Sequence, residues 1–202
     1  MRIGLVGPAE GDDEVLRTAL EFLVFEAKVD QTIYLGVDGG VGRVIAQWTR
    51  DLAGSDDATD AFLNDAAALA CGGDAASIER LLITEASAQR LSSVQRLPRP
   101  PARAIELLEH RIVMLVYDKA VLDEEDILNA YMLVYGKSDE ALLKRFGPRY
   151  FFTPGPLKKR KVAVLELDDV GQITMSMFAP TGMVLSKEVL QQQLGARLSV
   201  AQ

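Results

Sequence analysis

One cysteine and one histidine stand in a chain of 202 residues, and that scarcity narrows the chemistry at once. With Cys71 alone, no intramolecular disulfide can form and a cysteine-rich structural zinc site is excluded; a reducing, cytoplasmic setting is expected. With His110 alone, any mechanism that needs two histidines is unavailable. His110 sits in ELLEHRIVMLV, just ahead of an apolar strand, where a turn or strand-edge position is a simpler reading than catalysis. Positive charge is also short: 22 Lys and Arg against 29 Asp and Glu leave a net charge of -7. That balance opposes phosphate backbones, so no nucleic-acid partner is expected. No run approaches the roughly 18 apolar residues of a membrane span. The opening MRIGLVG lacks the apolar stretch and cleavage site of a signal peptide, so membrane insertion is not expected either.

What is present is ordinary for a soluble globular domain: 49% hydrophobic and 25% charged residues, enough to bury one full core. Arg2 to Val6 reads as a short buried strand, GPAEGDD as a turn, Asp13 to Lys28 as a helix and Gln31 to Leu35 as a second strand. A strand, a crossover helix and another strand favour parallel pairing. On that helix the apolar residues from Val15 to Ala27, Phe22 and Phe25 among them, cover roughly 260° of arc, too wide for one contact. Either the helix is sandwiched between its sheet and another helix, or it offers a surface to a partner.

Helical periodicity runs from Val41 to about Ser93, and LPRPP at 97–101 ends it. Apolar strands then resume at Ala104–Leu108, Arg111–Tyr117, Ala130–Tyr135, Tyr150–Phe152, Val162–Leu167 and Ile173–Phe178. A short helix is expected over Asp139–Arg145, a hairpin turn at Asp168–Gly171, and a C-terminal helix from Ser186 carrying Val189, Leu190 and Leu194. The glycine-rich stretch Gly36 to Gly42 has no GK[ST] ending and reads as a tight turn rather than a phosphate loop. Lys158 to Lys161 reads as the solvated start of a strand, with an acidic partner surface as the other reading.

The order of elements and several short motifs resemble the calcineurin-like metallophosphoesterases, in particular the small bacterial phosphodiesterases and the related retromer subunit. Those proteins open with a strand and Ser-Asp-Thr-His-Gly, where this chain has Gly7, Pro8, Ala9, Glu10 and Gly11. Their Leu-Gly-Asp becomes Leu35, Gly36, Val37, and a strand that ends there in His-Gly ends here in Tyr117 and Asp118. Their Tyr-Gly-His-Thr-His becomes Tyr135, Gly136, Lys137, Ser138 and Asp139, followed after a gap by Thr153, Pro154, Gly155 and Pro156. A weaker match to their Gly-Asn-His/Cys-Asp is Cys71 to Asp74.

The resemblance implies a two-sheet α/β sandwich flanked by helices, a single domain over 1–202 with a helical insertion at about 51–93 and a C-terminal extension at about 182–202. It also implies that Pro8, Glu10, Val37, Tyr117, Lys137 and Asp139 stand where metal ligands once were. Two-metal phosphoesterases need carboxylate and imidazole ligands to generate a hydroxide and clamp the reacting oxygens. Without them no metal, cofactor or catalytic residue is expected, although Glu10, Asp38, Asp118 and Asp139 could converge on a hard cation. The expected function is therefore that of an inactive pseudoenzyme acting as a protein-binding scaffold or regulatory subunit, through a protein partner or self-association. The expected interaction surface comprises Phe22, Phe25, Val189, Leu190 and Leu194. The alternative is a phosphoesterase or nucleotide-binding protein with a remodelled site.

Overall fold

The computed structural model describes residues 1–53 and 58–191. Its strands are β1 (Arg2–Val6), β2 (Gln31–Tyr34), β3 (Val94–Arg96), β4 (Ala104–Leu108), β5 (Arg111–Val116), β6 (Met132–Tyr135), β7 (Leu142–Phe146), β8 (Arg149–Thr153), β9 (Val162–Leu167), β10 (Ile173–Phe178) and β11 (Val184–Leu190). Its helices are α1 (Asp13–Glu21), α2 (Gly40–Ala53), α3 (Ala58–Gly72), α4 (Ala75–Leu91) and α5 (Glu124–Asn129). They build two mixed sheets, ordered β11-β10-β9-β1-β2-β3 and β4-β5-β6-β8-β7. This is the two-sheet α/β sandwich that the sequence implies.

Period-two alternation decides which way each strand faces. From β1, Ile3 and Leu5 point between the sheets, where they meet Leu115, Met132, Val134, Phe152 and Leu165. Val6 points the other way, into a second core beneath α1 and α2 with Leu16, Leu20, Leu23 and Trp48. Because both faces of the first sheet are covered, its central strands are apolar almost without interruption.

The breadth of the α1 apolar arc has a plain cause. α1 is capped by Asp12, whose side chain accepts from the Val15 amide at 3.1 Å, and it continues into a π-helical turn, Phe22–Glu26. Phe22 packs on Phe178 of β10 with ring centroids 5.2 Å apart, and Phe25 packs on Trp48 of α2 at 5.4 Å. The segment is thus sandwiched between sheet and helix, and the partner-surface reading of Phe22 fails because it is buried.

Two expected helices are strands. The helix expected over Asp139–Arg145 is replaced from Leu142 onward by β7, which pairs antiparallel with β8 from Leu142↔Thr153 to Phe146↔Arg149. The two-residue connection Gly147-Pro148, with Gly147 at φ 57°, closes that hairpin. From Ser186 the chain continues β11 rather than a helix, pairing with β10 so that Leu190 lies opposite Ile173. Leu190 is buried there, which removes it from any surface, whereas Val189 is half-exposed. Leu194 lies outside the described residues.

Candidate functional site

β1 and β2 run parallel in one sheet, and β5, β6 and β8 run parallel in the other. Their carboxyl ends deliver five loops to one edge of the sandwich, the place where α/β sheets build sites. Pro8 and Glu10 follow β1, Val37 follows β2, Tyr117 follows β5, and Lys137 and Asp139 follow β6. All six line a single cavity of about 190 Å³, together with Asp38, Gly136 and Ser138.

Two glycines let the sheets approach this closely. A Cβ on Gly7 would lie 1.8 Å from the Gly155 carbonyl oxygen, and one on Gly136 would lie 2.1 Å from the Leu35 carbonyl oxygen. The loops are also joined by backbone hydrogen bonds: the Leu157 amide donates to the Pro8 carbonyl at 2.9 Å and the Lys137 amide to the Tyr117 carbonyl at 2.7 Å.

Tyr34, at the end of β2, ties the first two loops together. Its buried hydroxyl accepts from the Ala9 amide at 2.8 Å and donates to Asp38 Oδ1 at 2.8 Å. The same carboxylate oxygen accepts from the Gly40 amide at 3.0 Å. Burial, helped by the Asp38 charge, pushes the Tyr34 phenol well above its ordinary pKa. Tyr34→Phe would strand the Ala9 amide without its acceptor, so a loss of about 1–3 kcal/mol is expected in urea denaturation. An unchanged midpoint would show that the hydroxyl ties nothing.

Two carboxylates at the site, Asp118 and Glu10, are paired with lysines. Lys137 Nζ lies 2.5 Å from Asp118 Oδ2, with Lys137 61% exposed and Asp118 26%, so the pair sits at the cavity rim. The Lys137 ammonium, aided by the Ala120 amide, holds the Asp118 carboxyl below the usual carboxylate range. Lys158 Nζ reaches Glu10 Oε2 at 2.8 Å, and Glu10 with the nearby charge of Asp139 raises the Lys158 pKa. Lys159 pairs with Glu140 at 2.7 Å. The basic run at 158–161 is therefore in part a set of clamps on the first and fourth loops, a pairing across 148 residues that no sequence pattern announces.

A metal pair does not fit these residues. Pro8 and Val37 have no donor atom in their side chains, Lys137 is a cation, and Asp38 is engaged by Tyr34 and Gly40. Among the described residues no three His, Cys, Asp or Glu side chains converge to hold an ion, so Glu10, Asp38, Asp118 and Asp139 do not form the hard-cation site considered above.

The remaining candidates lie elsewhere. His110 is 79% exposed beside Glu109 in the turn between β4 and β5, at the end of β5 away from the cavity. Cys71 lies in the last turn of α3, and Asp74 caps α4 by accepting from the Ser77 amide at 2.8 Å, so residues 71–74 join two helices.

No family model matches this sequence, and no curated protein sequence matches it. Solved structures do. The chain is similar to a predicted phosphoesterase from Streptococcus pneumoniae, with 12% identity, TM-score 0.55, and 95% of this chain and 97% of that one covered. It is similar to vacuolar protein sorting 29 (Vps29) from Cryptosporidium parvum, with 10% identity, TM-score 0.54, and 95% and 98% covered. It is also similar to a single mutant of Vps29 from Entamoeba histolytica, with 13% identity, TM-score 0.51, and 95% and 100% covered. The chain has the metallophosphoesterase-like fold.

Proposed function

We propose that this chain is a pseudoenzyme: a metallophosphoesterase-like protein that has lost hydrolysis and acts as a scaffold or regulatory subunit by binding other proteins. One observation carries the proposal. At the cavity rim, on the loop whose counterpart in the resembling phosphoesterases holds paired histidines, an ammonium is already neutralised by its own carboxylate, Lys137 to Asp118 at 2.5 Å.

A two-metal hydrolase works through ions that lower the pKa of a bound water and clamp both oxygens of an in-line displacement. This cavity offers a lysine, a valine and a proline among the positions that would have to hold those ions. The competing reading, a remodelled phosphoesterase or nucleotide site, needs cations free to meet phosphate. Lys137, Lys158 and Lys159 each already face a carboxylate. We read α3 and α4 as additions outside the resembling core.

The test is turnover of a generic aryl phosphodiester by the full chain in millimolar Mn²⁺. The expected rate equals that of buffer with metal. A rate well above it that disappears in Asp139→Ala would make this an enzyme and overturn the proposal.

A further inference from the structure

α4 has two faces of opposite habit. At 100° per residue, Ser77, Leu81, Thr84, Ala88 and Leu91 fall on one side, and all are buried or half-buried. The other side should be polar, since it faces away from the fold. Instead it carries Ile78, Leu82 and Ile83 at 43%, 59% and 60% exposure, with exposed Ala86 among them. Large aliphatic side chains gathered on one exposed helix face mark an interaction surface.

The charges on that face choose the occupant. Glu79 and Arg90 flank the apolar patch, and among the described residues neither has an ion-pair partner. They are 11 positions apart, which places them about 16 Å apart along the axis and within about 20° of one another around it. Their midpoint falls beside Ile83 and Ala86. A second α4 laid antiparallel about that midpoint sets Glu79 opposite Arg90 of the second copy and Arg90 opposite its Glu79. Leu82, Ile83 and Ala86 of both copies meet between the two ion pairs. Antiparallel helices also set their dipoles in the favourable sense.

We infer that α4 is a self-association surface, through which two copies of this chain pair by antiparallel α4 helices about a two-fold axis. One helix of 17 residues is about 25 Å long, so the contact is smaller than the roughly 800 Å² per partner of a standard interface. The dimer is accordingly weak and concentration-dependent. The surface lies away from the cavity, and the inference holds whether or not that cavity hydrolyses anything.

Sedimentation equilibrium of the full chain over a wide concentration range is the test. The weight-average mass should rise from the 22.0 kDa of one chain toward twice that value and level off. Leu82→Glu, at an exposed position, should hold the protein at monomer mass with its circular dichroism unchanged. Glu79→Arg alone and Arg90→Glu alone should each weaken association at least about tenfold, and the double exchange should restore it, because the swapped charges again face each other. A monomer at all concentrations would overturn the inference, whether or not another protein binds α4. So would a mass climbing past two chains, association indifferent to Leu82→Glu, or a double exchange no better than the singles.

Discussion

Gly7→Ala is expected to cost about 3 kcal/mol, at the upper end of overpacking penalties, which for a chain of this size lowers Tm by roughly 10 °C. The added methyl would be driven to 1.8 Å from the Gly155 carbonyl oxygen, and that neighbour is backbone, unable to rotate away. The two sheets touch at this point, so relief requires the loop after β1 and the loop after β8 to move apart, and the loop after β1 lines the cavity. Gly42→Ala in α2 is the control, since a Cβ there meets nothing within 4 Å and alanine is the better helix former. Thermal denaturation of the two variants should separate them clearly. Equal stability would mean that the close approach of the sheets is not what shapes the site.

Rebuilding the ligand set should have the largest functional effect. The combination Pro8→Asp, Glu10→His, Val37→Asp, Tyr117→His, Lys137→His and Asp139→His restores the side chains that the resembling phosphoesterases carry at these positions. Because all six already line one cavity, the donors would be delivered to a common space without rearranging the fold. Removing Lys137 also frees the Asp118 carboxylate from its ion pair. Even orienting partners of metal ligands are worth 10–100-fold in affinity, so restored ligands should raise Mn²⁺ affinity by at least about 100-fold over the parent chain. A folded variant that still ignores Mn²⁺ would show that these loops do not bring the six donors to a common point.

The elements visible in the sequence were those with their own local signal. β1, β5, β6, β9 and β10 are apolar runs bounded by turn residues, and the hairpin turn at 168–171 is where DDVG places it. The six cavity positions were legible only through the resemblance, whose motifs place them in the loops after β1, β2, β5 and β6.

What stayed hidden depends on partners far away in the chain. β11 reads VLSKEVL, whose leucines, Lys187 and Glu188 suit a helix equally well, and it becomes a strand by pairing with β10. The Gln191 amide then donates to the Tyr150 hydroxyl at 2.9 Å, holding the strand end in place. β7 is mostly exposed, so its alternation is faint, and its identity comes from the hairpin with β8. α5 is only six residues long and is set by the reciprocal Asp123 and Asp126 capping box. Phe22 and Leu190 were expected at the surface because hydrophobicity alone does not say which apolar face is already covered. The exposure of Leu82 and Ile83 of α4 is set in the same way, by which faces the fold covers.

The central claim is that this cavity, with Lys137 and Lys158 ion-paired at its edge, holds no metal ions. Its most direct test is the metal content of the full chain, purified without chelator, together with calorimetric titration of Mn²⁺, Mg²⁺ and Zn²⁺. The account predicts metal far below one ion per chain and no saturable heat. One or two ions per chain, bound with saturation and lost in Asp139→Ala, would contradict it.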